Sequence, residues 1–77
     1  MNKVILRFNV IRSNEVFEAV FDLRLSFKEN FDLLGSEGSF ALKDDSYIID
    51  PDKRVALRKD IALNSFNFPN FMTLYLF

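Results

Sequence analysis

The chain changes its hydrophobic period at Ser26, and that change constrains the fold more than any other feature. From Val4 to Val10, apolar Val4, Leu6, Phe8 and Val10 alternate with Ile5, Arg7 and Asn9. A period of two belongs to a strand with one buried face. Ser13-Asn14-Glu15 is a polar break suited to a hairpin turn. The next run, Val16 to Leu25, alternates again, with Phe17, Ala19, Phe21, Leu23 and Leu25 on one side and Val16, Glu18, Val20, Asp22 and Arg24 on the other. Residues 3–25 are therefore expected to form an antiparallel hairpin. Its core side carries Val4, Leu6, Phe8 and Val10 with the Phe17-to-Leu25 set.

After Leu25 the pattern becomes helical. Ser26-Phe27-Lys28-Glu29 fits a capping box, in which the Ser hydroxyl caps the first turn and Glu reaches back to the cap. Phe27, Phe31 and Leu34 recur at i, i+4 and i+7 on one helical face. Gly35 is placed to close a helix of roughly two turns in the left-handed conformation. Beyond the joint Gly35-Ser36-Glu37-Gly38, Phe40–Lys43 reads as a third strand. Asp44-Asp45-Ser46 turns the chain into a short fourth strand, Tyr47–Ile49. Asp50-Pro51-Asp52-Lys53 is a turn, since proline presets φ. Residues 54–66 carry Val55, Leu57, Ile61 and Leu63 without a clean period and are expected to be a loop with a single helical turn. Asn67-Phe68-Pro69-Asn70 is the last turn, before a strand that buries Met72, Leu74 and Leu76.

The order β-β-α-β-β-β, a hairpin followed by a helix crossing to later strands, is the plan of an α+β β-grasp. One short helix lies across one face of a mixed sheet, and the first and last strands pair in parallel at its centre, as a right-handed crossover permits. The competing arrangement is a small β-barrel plugged by the helix.

Composition then removes whole classes of chemistry. With 77 residues, only about 60% of the unfolded surface can be buried, so one domain (1–77) with one core is expected. There is no cysteine and no histidine. Disulfides, thiolate chemistry and cysteine-based zinc sites are excluded, along with the usual general base and imidazole ligand. Nothing points to catalytic residues, to a cofactor or to a metal. The formal charge of −1 lacks the basic stripe that phosphate neutralisation needs, so no nucleic-acid partner is expected. The apolar runs are far shorter than the roughly 20 residues of a membrane span. Met1-Asn2-Lys3 does not open a signal peptide, which leads to the expectation of a cytoplasmic protein.

Two stretches carry a resemblance. Val20-Phe21-Asp22-Leu23-Arg24-Leu25-Ser26 resembles the second strand and helix entry of the YukD/EsaB family, the ubiquitin-like proteins encoded with bacterial type VII secretion systems. Phe66 to Phe77 is similar to the family's last turn and strand, with Phe68 before the turn and Leu74 and Leu76 as the inward pair. The family's usual glycine positions in that turn are Asn67 and Phe71 here. The resemblance implies a ubiquitin-like fold, no catalytic residues, and an accessory protein that contacts secretion-system components. The last strand runs to Phe77 without a terminal Gly-Gly, so conjugation is not expected.

The acidic residues Asp44, Asp45, Asp50 and Asp52 do not have the spacing of a calcium loop and are read as two solvated turns. Arg54, Arg58 and Lys59, beside Lys53, are read as a solvated loop; a nucleic-acid reader would need them interleaved with aromatic platforms, for which Tyr47 or Phe66 would serve. The clearer excess is the ten phenylalanines. Phe8, Phe17, Phe21, Phe27, Phe31 and Phe40 fall on inward faces. The outward side of the sheet would gather Ile5, Ile11, Tyr75 and Phe77, with Val16 and Val20 on the adjoining strand. Exposed apolar patches of this kind mark binding surfaces. The protein-binding face is therefore assigned to Ile5, Ile11, Val20, Tyr75 and Phe77. It would take either a protein partner or a second copy of the chain as a homodimer. The alternative from another class is a phage or mobile-element inhibitor that uses the four turn aspartates as phosphate mimics.

Overall fold

Alternation produces the expected antiparallel hairpin, but its second strand stops at Asp22 and not at Leu25. Asn30 takes the outward main-chain groups of Asp22, and the chain turns there with the Leu25 N–H on the Asp22 C=O. In the computed structural model, which describes residues 2–35, 42 and 45–77, β1 (Lys3–Val10) pairs antiparallel with β2 (Glu15–Asp22) without a slip from Lys3↔Asp22 to Val10↔Glu15. The turn between them ends at Asn14, whose φ of 59° is in the left-handed region that asparagine tolerates best among residues with a Cβ. Val4, Leu6, Phe8 and Phe21 are buried, while Val10, Phe17 and Ala19 are half-buried at the sheet margin.

The helix α1 (Phe27–Gly35) starts as its capping box predicts. Ser26 Oγ accepts from the Glu29 N–H at 3.1 Å, and Glu29 Oε1 accepts from the Ser26 N–H at 3.1 Å. Two orphan donors of the first turn are thus satisfied reciprocally. Phe27 and Phe31 are buried, Leu34 packs on the core edge, and Gly35 is the last helical residue.

Three further strands complete one sheet in the order β2-β1-β5-β3-β4. β5 (Met72–Leu76) runs parallel to β1 and antiparallel to β3 (Ile48–Asp50). The central parallel pair is therefore formed by the first and last strands, as the β-grasp plan requires. β3 begins one residue later than expected.

β4 (Val55–Leu57), antiparallel to β3, corrects the expectation of a loop there. Three residues are too few to show a period; Val55 and Ala56 are exposed, and only Leu57 reaches the core. The strand is held by its main-chain ladder to β3, which sequence patterning does not report. The single helical turn expected within 54–66 is present as a 3-10 turn over Leu63–Ser65. The strand expected at Phe40–Lys43, the core position of Phe40 and the Asp44 turn lie outside the described residues except for Leu42, which packs against the core.

Phenylalanine rings fill the space between sheet and helix. Phe8 stacks on Phe17 with centroids 5.3 Å apart and meets Phe31 edge-on at 5.4 Å. Phe21 and Phe27 close the same cluster. Phe66 and Phe68 stack on one another at 5.2 Å and lean on Phe27. The segment that carries them is tied to the helix entry by main-chain bonds: Leu63 N–H to Leu25 C=O, Asn64 N–H to Leu23 C=O and Lys28 N–H to Lys59 C=O. A strap with little regular structure of its own thereby covers one end of the core.

Candidate protein-binding face

The side of the sheet away from α1 carries all five residues assigned to a binding face. Strand register fixes how they are arranged. Ile5 lies opposite Val20 on β2, and its C=O accepts from the Phe71 N–H at 2.7 Å. Val20, Ile5 and Phe71 therefore form one short apolar row. Phe71 was not among the residues assigned from sequence.

A second cluster occupies the other end. Asn9 faces Val16 on one side and Tyr75 on the other, and Tyr75 faces Ile49. Ile11 donates to the Leu76 C=O at 2.9 Å, and Phe77 and Tyr47 exchange two main-chain bonds of 2.8 and 3.1 Å. Ile11, Phe77 and Tyr47 thus sit side by side next to the Val16–Tyr75–Ile49 row. Ile11 is 40%, Phe77 41% and Tyr47 62% exposed, whereas Ile5 and Tyr75 are half-buried between their neighbours. Tyr47 joins this cluster rather than a basic platform. Ile48, one residue on, is fully buried, and alternation sends Tyr47 to the outer side.

Between the clusters runs a polar row. Arg7 is flanked by Glu18 and Thr73 in register and donates to Glu18 Oε2 at 3.3 Å, with both side chains more than two-fifths exposed. Such a pair contributes little to stability. Its effect is to divide the outer face, so that Ile5 and Val20 do not join Tyr75, Phe77 and Ile11 in one patch.

The charged groups singled out in the sequence are largely engaged. Asp50 is buried, and its Oδ1 accepts from the N–H groups of Asp52 and Lys53 at 3.0 and 3.3 Å. It caps its own turn and is not displayed for a partner. Asp45 and Asp52 are exposed, and Asp44 lies outside the described residues. Arg58 holds Asp60 through two bonds of 3.1 and 2.8 Å, which lowers the Asp60 carboxyl below its ordinary range. Lys59 Nζ donates to the Ser46 C=O at 2.7 Å. Among the described residues no three Asp, Glu, His or Cys side chains gather as a metal site. Nor is any described helix long and apolar enough to cross a membrane.

An open groove of about 850 Å³ lies where β3 and β5 diverge beyond the Ile49–Tyr75 pair. Leu57, Arg58, Phe66, Phe68 and Phe71 are among the residues that line it. Asn67 and Phe71, beside this groove, have φ of 52° and 64°. The backbone thus keeps the left-handed geometry that glycine would favour, at the cost that a Cβ brings there.

No family model matches the chain, and no curated protein matches it. Solved structures do. One described as molecular mimicry of SUMO that promotes DNA repair superposes with a TM-score of 0.80 at 9% identity, over 100% of this chain and 92% of that one. A protein designed on the basis of ubiquitin gives 0.74 at 12% identity, over 99% and 88%. A chain from a toluene 4-monooxygenase complex with the inhibitor 4-bromobenzoate gives 0.69 at 8% identity, over 96% and 95%. Taken with the parallel β1–β5 pair and the helix across one face, these likenesses show that the chain has a ubiquitin-like β-grasp fold.

Proposed function

We propose that this protein is a non-enzymatic ubiquitin-like interaction module that docks another protein on the outer face of its sheet. The observation that carries this reading is the cluster of Ile11, Phe77 and Tyr47 beside Tyr75 and Val16. Ile11, Val16, Tyr47 and Phe77 are exposed, with half-buried Tyr75 between them, on a sheet whose other side is already packed. Aromatic anchors on a pre-formed surface lose little conformational entropy on binding, and burying them supplies the affinity. Ile5 and Val20, with Phe71, form a separate subsite across the Arg7–Glu18 row. The resemblance of Val20–Ser26 and Phe66–Phe77 to the YukD/EsaB family supports a cytoplasmic, secretion-system accessory role, with a type VII component as the partner.

The test is affinity capture with the wild-type chain and with a Tyr75→Asp/Phe77→Asp variant, in cells that carry a type VII system, with bound proteins identified by mass spectrometry. The expected result is a secretion component held by the wild type and lost from the variant, while the variant's far-ultraviolet circular dichroism is unchanged. Retention of the same proteins by the variant overturns the assignment of the face. Capture of proteins unrelated to secretion overturns the context.

A further inference from the structure

The two edges of the sheet are guarded very differently. β4 is an edge of three residues, and brevity is itself a protection against pairing with another chain. β2 is an edge of eight residues, EVFEAVFD, with no proline, lysine or glycine, and its register with β1 has no bulge. Its protections are the acidic side chains Glu15, Glu18 and Asp22; length, proline, lysine and a bulge give it none.

Main-chain direction along β2 follows from the neighbouring pairs. Ile5 receives and gives its main-chain bonds toward β5, from Phe71 and to the Asn70 side chain, and Ile11 donates to Leu76. The odd residues of β1 therefore face β5, and the even ones face β2. Their antiparallel partners Glu15, Phe17, Ala19 and Phe21 are thus the inward-bonded residues of β2, and Val16, Glu18, Val20 and Asp22 turn their N–H and C=O groups outward. At Asp22 that edge is closed. Asn30 Oδ1 accepts from the Asp22 N–H at 2.8 Å, and Asn30 Nδ2 donates to the Asp22 C=O at 3.0 Å, as a neighbouring strand would. At Val16, Glu18 and Val20 no such partner stands among the described residues.

We infer that β2 pairs antiparallel with β2 of a second copy of this chain, about a two-fold axis at Glu18, to make one continuous sheet. The occupant follows from the self-complementarity of the edge in that register. Val16 meets the partner's Val20 on the outer side, and both are more than half exposed in the single chain. On the inner side Phe17, large and half-buried, meets the partner's Ala19, which is small. A shift of the axis to Phe17 sets Phe17 against its own copy and Val16 against Glu18. A shift to Ala19 sets Val16 against Asp22, whose edge Asn30 already fills. Of these three registers the one centred on Glu18 sets Val16 on Val20 and Phe17 on Ala19 and leaves the filled Asp22 edge clear, while placing Glu15 opposite the buried Phe21. The two glutamates at the axis each bring Arg7, 3.3 Å away, so the centre carries balanced charge. This inference concerns the edge and does not depend on the outer-face reading.

The experiment is sedimentation equilibrium of the full chain across a concentration series, with three variants. Glu18→Pro removes an outward N–H at a position where an edge strand accepts proline and leaves the outer apolar cluster untouched. Wild type should dimerise, Glu18→Pro should weaken dimerisation at least tenfold with its circular dichroism retained, and Tyr75→Asp/Phe77→Asp should dimerise like wild type. The register is read separately by Glu18→Cys, in a chain that has no other cysteine. Hydrogen-bonded antiparallel partners have Cα atoms about 5.5 Å apart, within disulfide reach, so mild oxidation should cross-link this variant to itself. Val16→Cys should not cross-link to itself, since the two Val16 positions would lie about 14 Å apart. A monomer throughout the series, a dimer broken by the outer-face variant and not by Glu18→Pro, or cross-linking of Val16→Cys in place of Glu18→Cys would each overturn the inference. The monomer and cross-linking outcomes leave the outer-face reading standing, whereas a dimer broken only by the outer-face variant would assign that face to self-association.

Discussion

Replacing Asn30 should be among the most damaging single polar changes in this protein. The side chain is 5% exposed and makes three bonds: it accepts from the Asp22 N–H at 2.8 Å and donates to the C=O groups of Asp22 and Ser26 at 3.0 and 2.9 Å. At about 1 kcal/mol net for each bond, Asn30→Ala loses roughly 3 kcal/mol. The better helix propensity of alanine returns about 0.5 kcal/mol, which leaves a loss of roughly 2–3 kcal/mol. A domain of this length has about 4–12 kcal/mol in all, so the loss is a large fraction. It should lower Tm by about 10–20 °C, at about 4–8 °C per kcal/mol. Asn30→Asp sharpens the test. A carboxylate still accepts from the Asp22 N–H but has no proton for the two carbonyls it faces, so at neutral pH it should be no more stable than the alanine variant. Urea unfolding followed by circular dichroism, with thermal melts beside it, measures both. A loss below about 1 kcal/mol for Asn30→Ala, or an aspartate variant as stable as wild type at neutral pH, would refute the idea that this amide stands in for a missing strand.

Three further outcomes follow from the same geometry. Asp22 is held at about 2, below its ordinary 3.8, first by the Arg24 side chain that bonds it and then by the Arg24 N–H. Because the folded value is depressed, its contribution to stability is present above pH 3.8 and lost as pH falls toward 2. In Arg24→Ala the carboxyl, followed by carbon-detected NMR titration, should move up toward 3.8, and the native state should lose less stability over that pH interval. Phe71→Gly should be more stable than Phe71→Ala by about 1 kcal/mol, since both remove the same exposed ring and only alanine strains a φ of 64°; equal urea midpoints would sink that account. Phe8→Ala removes a fully buried ring that contacts Phe17, Phe21, Phe27 and Phe31, and should cost about 3–5 kcal/mol by chemical denaturation.

The elements with a clear period were legible, and those held by main chain were not. β1 and β2 alternate over eight residues each, enough to fix strand and face, while register and the end of β2 at Asp22 depend on the fold. The Ser26–Glu29 box announced the start of α1 by its side chains alone. β4 could not be read, because its stability lies in N–H and C=O groups that every sequence shares, and two of its three side chains face water. Asn30 was silent for a different reason. An asparagine on a helix reads as a solvated polar residue, and its burial depends on where β2 ends relative to the helix. The left-handed backbone at Asn67 and Phe71 was not legible, because neither position carries the glycine that would announce it. The outer face was legible as a side of the sheet but not as a pattern upon it. Alternation assigned Ile5, Ile11, Val20, Tyr75 and Phe77 to one surface, yet the division into two clusters depends on the β1–β5 register, which places Arg7 and Thr73 between them.

That division links the face to the edge. Arg7 and Glu18 lie at the midpoint of β1 and β2, where no partner among the described residues stands on the outward main-chain groups of Val16, Glu18 and Val20 and the apolar clusters stop on either side. A partner that spans the whole outer face must cross this ion pair and desolvate it, which costs more than an exposed pair of this kind returns. A partner confined to the Ile11–Phe77–Tyr47 end avoids that cost. An edge pairing centred on Glu18 also avoids it, since the carboxylates and guanidinium groups stay on the solvent side of the extended sheet. If both proposals hold, one contact would use the apolar end and the other the β2 edge, and the polar row that weakens a single broad interface would keep the two smaller ones apart.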